Sequence, residues 1–159
     1  MNELLANLKK SYPAISFVPG QVFSWSPKTK QVIYKLVYSD NEVASWSLLH
    51  EVGHALLDHV DYFSDFQLLL IEVSAWEKAK ILAEEFNINI DESHIQDCLD
   101  TYRDWLYQRS TCPACTNCSL QINSKTYQCF NCGTVWRVSA SRMCRPYRRQ
   151  TFITSQPAA

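Results

Sequence analysis

The sequence predicts an α+β protein with a small cysteine-bearing module near its C-terminal end. Three observations predict this class. Short alternating runs before residue 35 read as strands. Apolar residues at helical spacing dominate from residue 42 to about residue 106. Two Cys-x-x-Cys pairs then follow, in a segment without one acidic residue.

Residues 2–11 read as a short amphipathic helix. Leu4, Leu5 and Leu8 lie on one side and Lys9 and Lys10 on the other, and Tyr12-Pro13 ends it. Residues 15–18 read as a strand closed by Pro19-Gly20. Residues 22–25 and 31–34 alternate around Ser26-Pro27-Lys28-Thr29-Lys30, a hairpin signal. Ser39-Asp40-Asn41 supplies an N-cap ahead of Glu42. The helix that follows carries Val43, Trp46, Leu49, Val52, Leu56, Leu57 and Val60 at helical spacing. Gly53, disfavoured in a helix by roughly 1 kcal/mol against Ala, implies a close neighbour. A second long helix spans about 64–86, with Leu69, Glu72, Val73, Trp76, Ala79, Ala83 and Phe86 as its stripe. A third begins at Ser93, which fits a capping box with Gln96, and buries Ile95, Cys98, Leu99, Tyr102 and Leu106.

Composition bounds the rest. The 159 residues suffice for one modest domain and an appendage. No run of about 18 apolar residues exists, so no membrane span is expected. Met1-Asn2-Glu3-Leu4-Leu5 lacks the basic and apolar regions of an export signal, so a cytoplasmic location is expected. Seven cysteines, six of them after residue 111, suit thiolate metal ligands in a reducing compartment better than a disulfide scaffold. The formal charge of −1 hides an asymmetry. All sixteen acidic residues and nine of the fifteen basic ones lie in residues 1–110, a formal −7. Lys125, Arg137, Arg142, Arg145, Arg148 and Arg149 give the remainder +6. The expected organisation is a helical and sheet domain at 1–110, a basic cysteine module at 111–150 and a flexible tail at 151–159.

The chemistry concentrates in His50-Glu51-Val52-Gly53-His54. Residues four apart share a helix face, so His50 and His54 can present two imidazoles to one metal ion. Glu51 projects beside them, placed to take a proton from a metal-bound water. Glu72 stands within the apolar stripe of the next helix, where an unpaired carboxylate costs several kcal/mol. A zinc ion is its natural partner, which completes a His₂Glu set with a fourth position open. Glu77, off the stripe and beside Lys78 and Lys80, reads as a solvated charge. His59 could replace Glu72 as a third ligand, as in zincins with a later His, but it lies about 140° round a straight helix from His54 and reads as a helix-end residue turned away from the metal. His94 reads as a first-turn surface residue. Tyr62, His94, Tyr102 and Arg103 are all candidates for the oxyanion donor.

This set resembles the gluzincin metallopeptidases, and within them the ImmA/IrrE family of small intracellular proteases. The likeness rests on His50-Glu51-Val52-Gly53-His54-Ala55-Leu56-Leu57-Asp58-His59 and on Glu72-Val73-Ser74-Ala75, and it covers roughly residues 1–90. It implies a zincin-like fold and cleavage of a protein substrate by a zinc endopeptidase. The departure is Trp76, where related gluzincins carry Asp or Asn to orient a ligand histidine. Trp offers only a donor, so Asp58 or a backbone carbonyl is left to do this.

Cys112-Pro-Ala-Cys115 and Cys129-Phe-Asn-Cys132, with Gly133 at the second turn, read as a zinc ribbon closed by four thiolates around a structural zinc. Cys115-Thr-Asn-Cys118 is also Cys-x-x-Cys, and Cys118 is the alternative to Cys112. Tyr127, Phe130 and Trp136 with the arginines offer a nucleic-acid surface. SprT-type proteases of DNA–protein crosslinks also pair a zincin with a C-terminal zinc module, so a DNA-associated protease is one alternative. A non-catalytic zincin scaffold that binds protein or DNA is another.

Overall fold

A computed structural model describes residues 1–36, 41–139 and 148–151. The elements in order are α1 (Asn2–Ser11), β1 (Ser16–Gly20), β2 (Ser24–Ser26), β3 (Gln31–Lys35), α2 (Glu42–Leu56), α3 (Asp65–Glu85), α4 (Glu92–Ser110), β4 (Gln121–Asn123), β5 (Thr126–Gln128), β6 (Val135–Val138) and β7 (Arg148–Thr151). The class is α+β, and no described helix is long and apolar enough to cross a membrane. Two compact units share the chain. One is Met1–Asp61 with Leu70–Asp97, and the other is Tyr62–Leu69 with the chain from Cys98 onward. The division therefore cuts through α3 and α4 and does not fall at the composition break near Ser110. Of the expected tail, Thr151 lies in β7 and residues 152–159 fall outside the described residues.

In the first unit the sheet order is β1-β3-β2, with β1 parallel to β3 and β2 antiparallel to it. Central β3 turns Val32 and Tyr34 inward. Pro19 is tolerated because β1 is an edge strand. The buried helix α2 is capped by Asn41, whose side chain accepts from the Ala44 N–H at 3.1 Å. Ser39 and Asp40, offered with it as caps, fall outside the described residues. Ala44, Trp46, Leu48, Leu49 and Val52 are buried, whereas Val43, Leu57 and Val60 of the expected stripe are exposed. The stripe fails at its end because the helix stops at Leu56. Asp58 adopts φ +50, the His59 N–H returns to the His54 carbonyl (3.1 Å) and the Asp58 N–H to that of Ala55 (3.2 Å). This is a Schellman closure, and it reverses the chain at His59. At α4 the cap is Asp91, which accepts from the Ser93 N–H at 2.9 Å, so Ser93 is inside the helix.

The second unit is a ribbon sheet of order β4-β5-β6-β7 with the ends of two helices. Its two knuckles repeat one geometry. The N–H groups of Thr116 and Gly133 each donate, at 3.0 Å, to the carbonyl of the knuckle's first cysteine, Cys112 and Cys129 respectively. Those cysteines' own N–H groups each donate, at 2.9 Å, to the carbonyl five residues on, Asn117 and Thr134. Both turns need a left-handed residue, at φ 62 for Thr116 and φ 71 for Gly133. A Cβ at Gly133 would meet nothing within 4 Å, so the glycine answers to φ and not to crowding. Buried beneath lies Arg109. Its Nε meets Asp65 Oδ2 at 2.6 Å and its Nη2 meets Oδ1 at 3.2 Å, while the Ser139 carbonyl accepts from Nη1. The Tyr127 hydroxyl also donates to Asp65 (2.5 Å), and Trp136 Nε1 donates to the Arg109 carbonyl (2.9 Å). This network accounts for the first turn of α3 and the last of α4 belonging with the ribbon.

Candidate metal centre

His50 and His54 occupy successive turns of α2, and Glu72 faces them from α3. The close approach of the two helices is made at Gly53. A Cβ there would lie 2.6 Å from the Ala75 carbonyl oxygen. The three ligand atoms form a triangle. His50 Nε2 to His54 Nε2 is 3.1 Å, His50 Nε2 to Glu72 Oε2 is 3.3 Å and His54 Nε2 to Glu72 Oε2 is 3.6 Å. A tetrahedron of N and O ligands around zinc, with bonds of 2.0–2.1 Å, has edges of about 3.3–3.4 Å. These residues can therefore hold a metal ion of that size. All three are buried. Burial pushes the Glu72 carboxyl up, but hydrogen bonds and charge from His50 and His54 outweigh it and bring the group to about 2.

Glu51 stays beside this triangle without joining it. Its carboxyl is raised, chiefly by burial, with the Glu72 charge adding to the rise. His50, His54 and a hydrogen bond from the Trp25 backbone N–H oppose it. Trp25 lies on β2, an edge strand of the sheet. Glu77, by contrast, is exposed and pairs with Lys80 at 3.0 Å.

The surroundings of the histidines differ from expectation in three ways. First, Asp58 does not orient a ligand, because its left-handed turn sends it to an exposed pair with Lys30. Second, His59 is not turned away. Its Nδ1 lies 2.9 Å from His54 Nδ1, and its Nε2 lies 3.3 Å from Ser74 Oγ. The straight-helix geometry does not apply once the helix has closed at Leu56. Burial and the neighbouring His54 lower the affinity of His59 for a second proton. Third, Trp76 lies against His50, with ring centroids 4.3 Å apart. It gives no acceptor, and His50 Nδ1 is buried without a hydrogen-bond partner among the described residues. His94 is half-buried, with its ring 5.0 Å from Trp46 and 5.8 Å from Trp76, and is not a free surface residue. Tyr62, Tyr102 and Arg103 belong to the other unit.

No protein-family model, curated protein or solved structure matches this chain.

A second cluster, Cys112, Cys115, Cys129 and Cys132, can also hold a metal ion. Cys112 and Cys132 sulfurs are 3.6 Å apart and those of Cys115 and Cys129 are 3.4 Å apart, against about 3.8 Å for the edge of a zinc thiolate tetrahedron. Cys118 lies outside, exposed, with its sulfur 3.9 Å from the Thr111 hydroxyl. The Cys129 thiol is held down to about 6, first by a backbone hydrogen bond from Cys132, and Cys132 is lowered by the hydroxyl and backbone of Thr134. Two of the aromatics expected at a nucleic-acid surface are unavailable for stacking. Tyr127 and Trp136 are buried and stack on each other, with centroids 5.5 Å apart, in one core with Cys112, Cys129 and Val138. Phe130, Lys125, Arg137, Arg148 and Arg149 are exposed, and Arg142 and Arg145 fall outside the described residues.

Sequence reasoning misplaced His59 and missed Ser74, Asp65 and Arg109. A histidine five residues past a helical pair is a usable signal only if the helix is known to end between them. Asp65 and Arg109 are 44 residues apart and leave no local trace.

Proposed function

We propose that this chain is a zinc-dependent endopeptidase of the gluzincin type, as its resemblance to the ImmA/IrrE proteases implies. The observation that carries the proposal is the Nε2, Nε2, Oε2 triangle with edges of 3.1, 3.3 and 3.6 Å beside the half-buried carboxylate of Glu51. His50, His54 and Glu72 would hold the catalytic zinc. Cys112, Cys115, Cys129 and Cys132 would hold a structural one, closed to substrate. Bound in the first site, zinc supplies Lewis-acid polarisation of a scissile carbonyl and acidifies a water. Glu51 takes a proton from the attacking water and returns it to the leaving amine nitrogen. Edge strand β2, Ser24–Ser26, has one neighbour in its sheet. Its outer side would pair with an extended polypeptide, which suits a protein substrate.

The test is Glu51→Gln, with metal content and hydrolysis of unfolded casein measured together. The wild type should carry two zinc ions per chain and cleave. The variant should retain both ions and lose cleavage, because its ligands are intact and its base is gone. Undiminished cleavage by the variant, or wild-type protein with one zinc in the thiolate site only, overturns the proposal.

A further inference from the structure

We propose that His59 is the positioning residue of the metal centre, accepting the Nδ1–H of His54 and thereby aiming His54 Nε2 at the ion. This rests on the assignment of His50, His54 and Glu72 as metal ligands. Two ring nitrogens 2.9 Å apart can share one proton between them. If His54 Nε2 is the ligand atom, its Nδ1 carries the proton and donates. His59 Nδ1 must then be bare, and the His59 proton sits on Nε2. That nitrogen faces Ser74 Oγ at 3.3 Å, and the Ser74 hydroxyl donates to the Ile71 carbonyl at 2.9 Å. Every donor in the series has an acceptor, and the polarity runs one way, from the metal ligand to the backbone of α3.

The backbone fixes His59 where this needs it. The Schellman closure brings the residue back over His54, with Asp58 as its left-handed hinge. Trp25 Nε1 donates to the His59 carbonyl at 2.8 Å, which ties the turn to β2. In such closures the residue after the hinge often makes an apolar contact with the residue that begins the last turn. Here those two are His59 and His54, and their contact is a hydrogen bond between imidazoles. His50 has nothing equivalent, since its Nδ1 has no partner among the described residues and the Trp76 ring lies against it. One ligand is thus aimed by a hydrogen bond and the other by packing. Ser74 stands two residues beyond Glu72 on α3, so the series also links the two helices that bring the ligands together.

Removing the outer partner of a metal-bound histidine lowers metal affinity about 10–100-fold. Full-length protein is loaded with cobalt(II), whose thiolate bands report the Cys₄ site separately from the weaker bands of an N/O site. Zinc affinity at the N/O site is then read by competition for wild type, His59→Leu, His59→Asn and Ser74→Ala. His59→Leu should weaken that site about 10–100-fold and leave the thiolate bands unchanged. His59→Asn sets an amide oxygen where Nδ1 was and should restore affinity to within a few-fold of wild type. Ser74→Ala should fall between. In nitrogen-15 NMR of the zinc form, the His54 Nδ1–H should be protected from exchange in wild type and lose protection in His59→Leu. Unchanged affinity in His59→Leu overturns the proposal. Loss of the site in both His59 variants, with retention in Glu72→Ala, makes His59 a ligand and also overturns it. A wild-type protein without N/O bands means that the metal assignment itself has failed, and the role of His59 falls with it.

Discussion

Gly53→Ala is the most direct test of how the helices are brought together. The added Cβ would meet the Ala75 carbonyl oxygen at 2.6 Å, with the Ala75 carbonyl carbon at 3.4 Å and its Cα at 3.5 Å. Favourable contacts begin near 3.5 Å, so α2 and α3 must part or rotate by about 0.9 Å locally. The obstacle is backbone and cannot swing aside as a flexible side chain could. Overpacking of this kind costs about 1–3 kcal/mol. Replacing glycine by alanine within a helix returns about 1 kcal/mol. The net effect on folding is therefore a loss of roughly 0–2 kcal/mol. Metal affinity is the finer gauge. His54 follows Gly53 directly, His50 precedes it by three residues, and Glu72 lies three residues before Ala75. Metal–ligand lengths tolerate only about ±0.2 Å. Affinity at the His₂Glu site should fall at least about tenfold, or 1.4 kcal/mol. Chelator competition and urea unfolding of the metal-free protein measure both quantities. A variant that gains about 1 kcal/mol of stability and binds zinc within two-fold of wild type would refute the reasoning.

Three further outcomes follow from the same structure. Arg109→Leu leaves Asp65 buried without its counter-charge and should cost about 3–5 kcal/mol in urea unfolding, against under about 1 kcal/mol for Arg103→Leu at its exposed pair with Asp100. Thr116 holds a left-handed conformation that a β-branched residue rarely adopts, so Thr116→Gly should stabilise the ribbon by about 1 kcal/mol and Gly133→Ala should destabilise it by a similar amount, both read from thermal unfolding of the zinc form. Glu72 falls from 4.5 to about 2 in the folded metal-free protein. A depressed carboxyl stabilises the fold above its unfolded value, and that contribution is lost as pH falls through the folded one. Chelator-treated wild type should therefore lose stability more steeply than Glu72→Gln between pH 4.5 and 2, and parallel slopes in urea midpoints would contradict this.

How much was legible in the sequence depends on the range of the interaction. Helical periodicity and the four-residue spacing of His50 and His54 are local, and they located α1, α2, α3 and α4 to within a few residues. The lone Glu72 in an apolar stripe singled itself out because a buried charge needs a partner, whatever the fold. The Cys-x-x-Cys spacing likewise encodes a turn, and two equivalent turns bring Cys112, Cys115, Cys129 and Cys132 together while Cys118 remains outside. The reason for Gly53 was also local in part, since a helix tolerates glycine badly unless something lies close.

What only the tertiary structure decided came from chain reversals and from pairs distant in sequence. Asp58 carries no glycine-like signal, yet its left-handed turn ends α2 at Leu56 and swings His59 onto His54. A straight-helix projection was bound to place that residue wrongly. Tyr127 and Trp136 had the composition of a stacking surface, but a ribbon this small must use its aromatics as its core. Asp65 and Arg109 pair across 44 residues, a distance over which neither periodicity nor capping carries information. Their ion pair draws the helix ends into the ribbon's unit, where charge composition alone had put a boundary at Ser110.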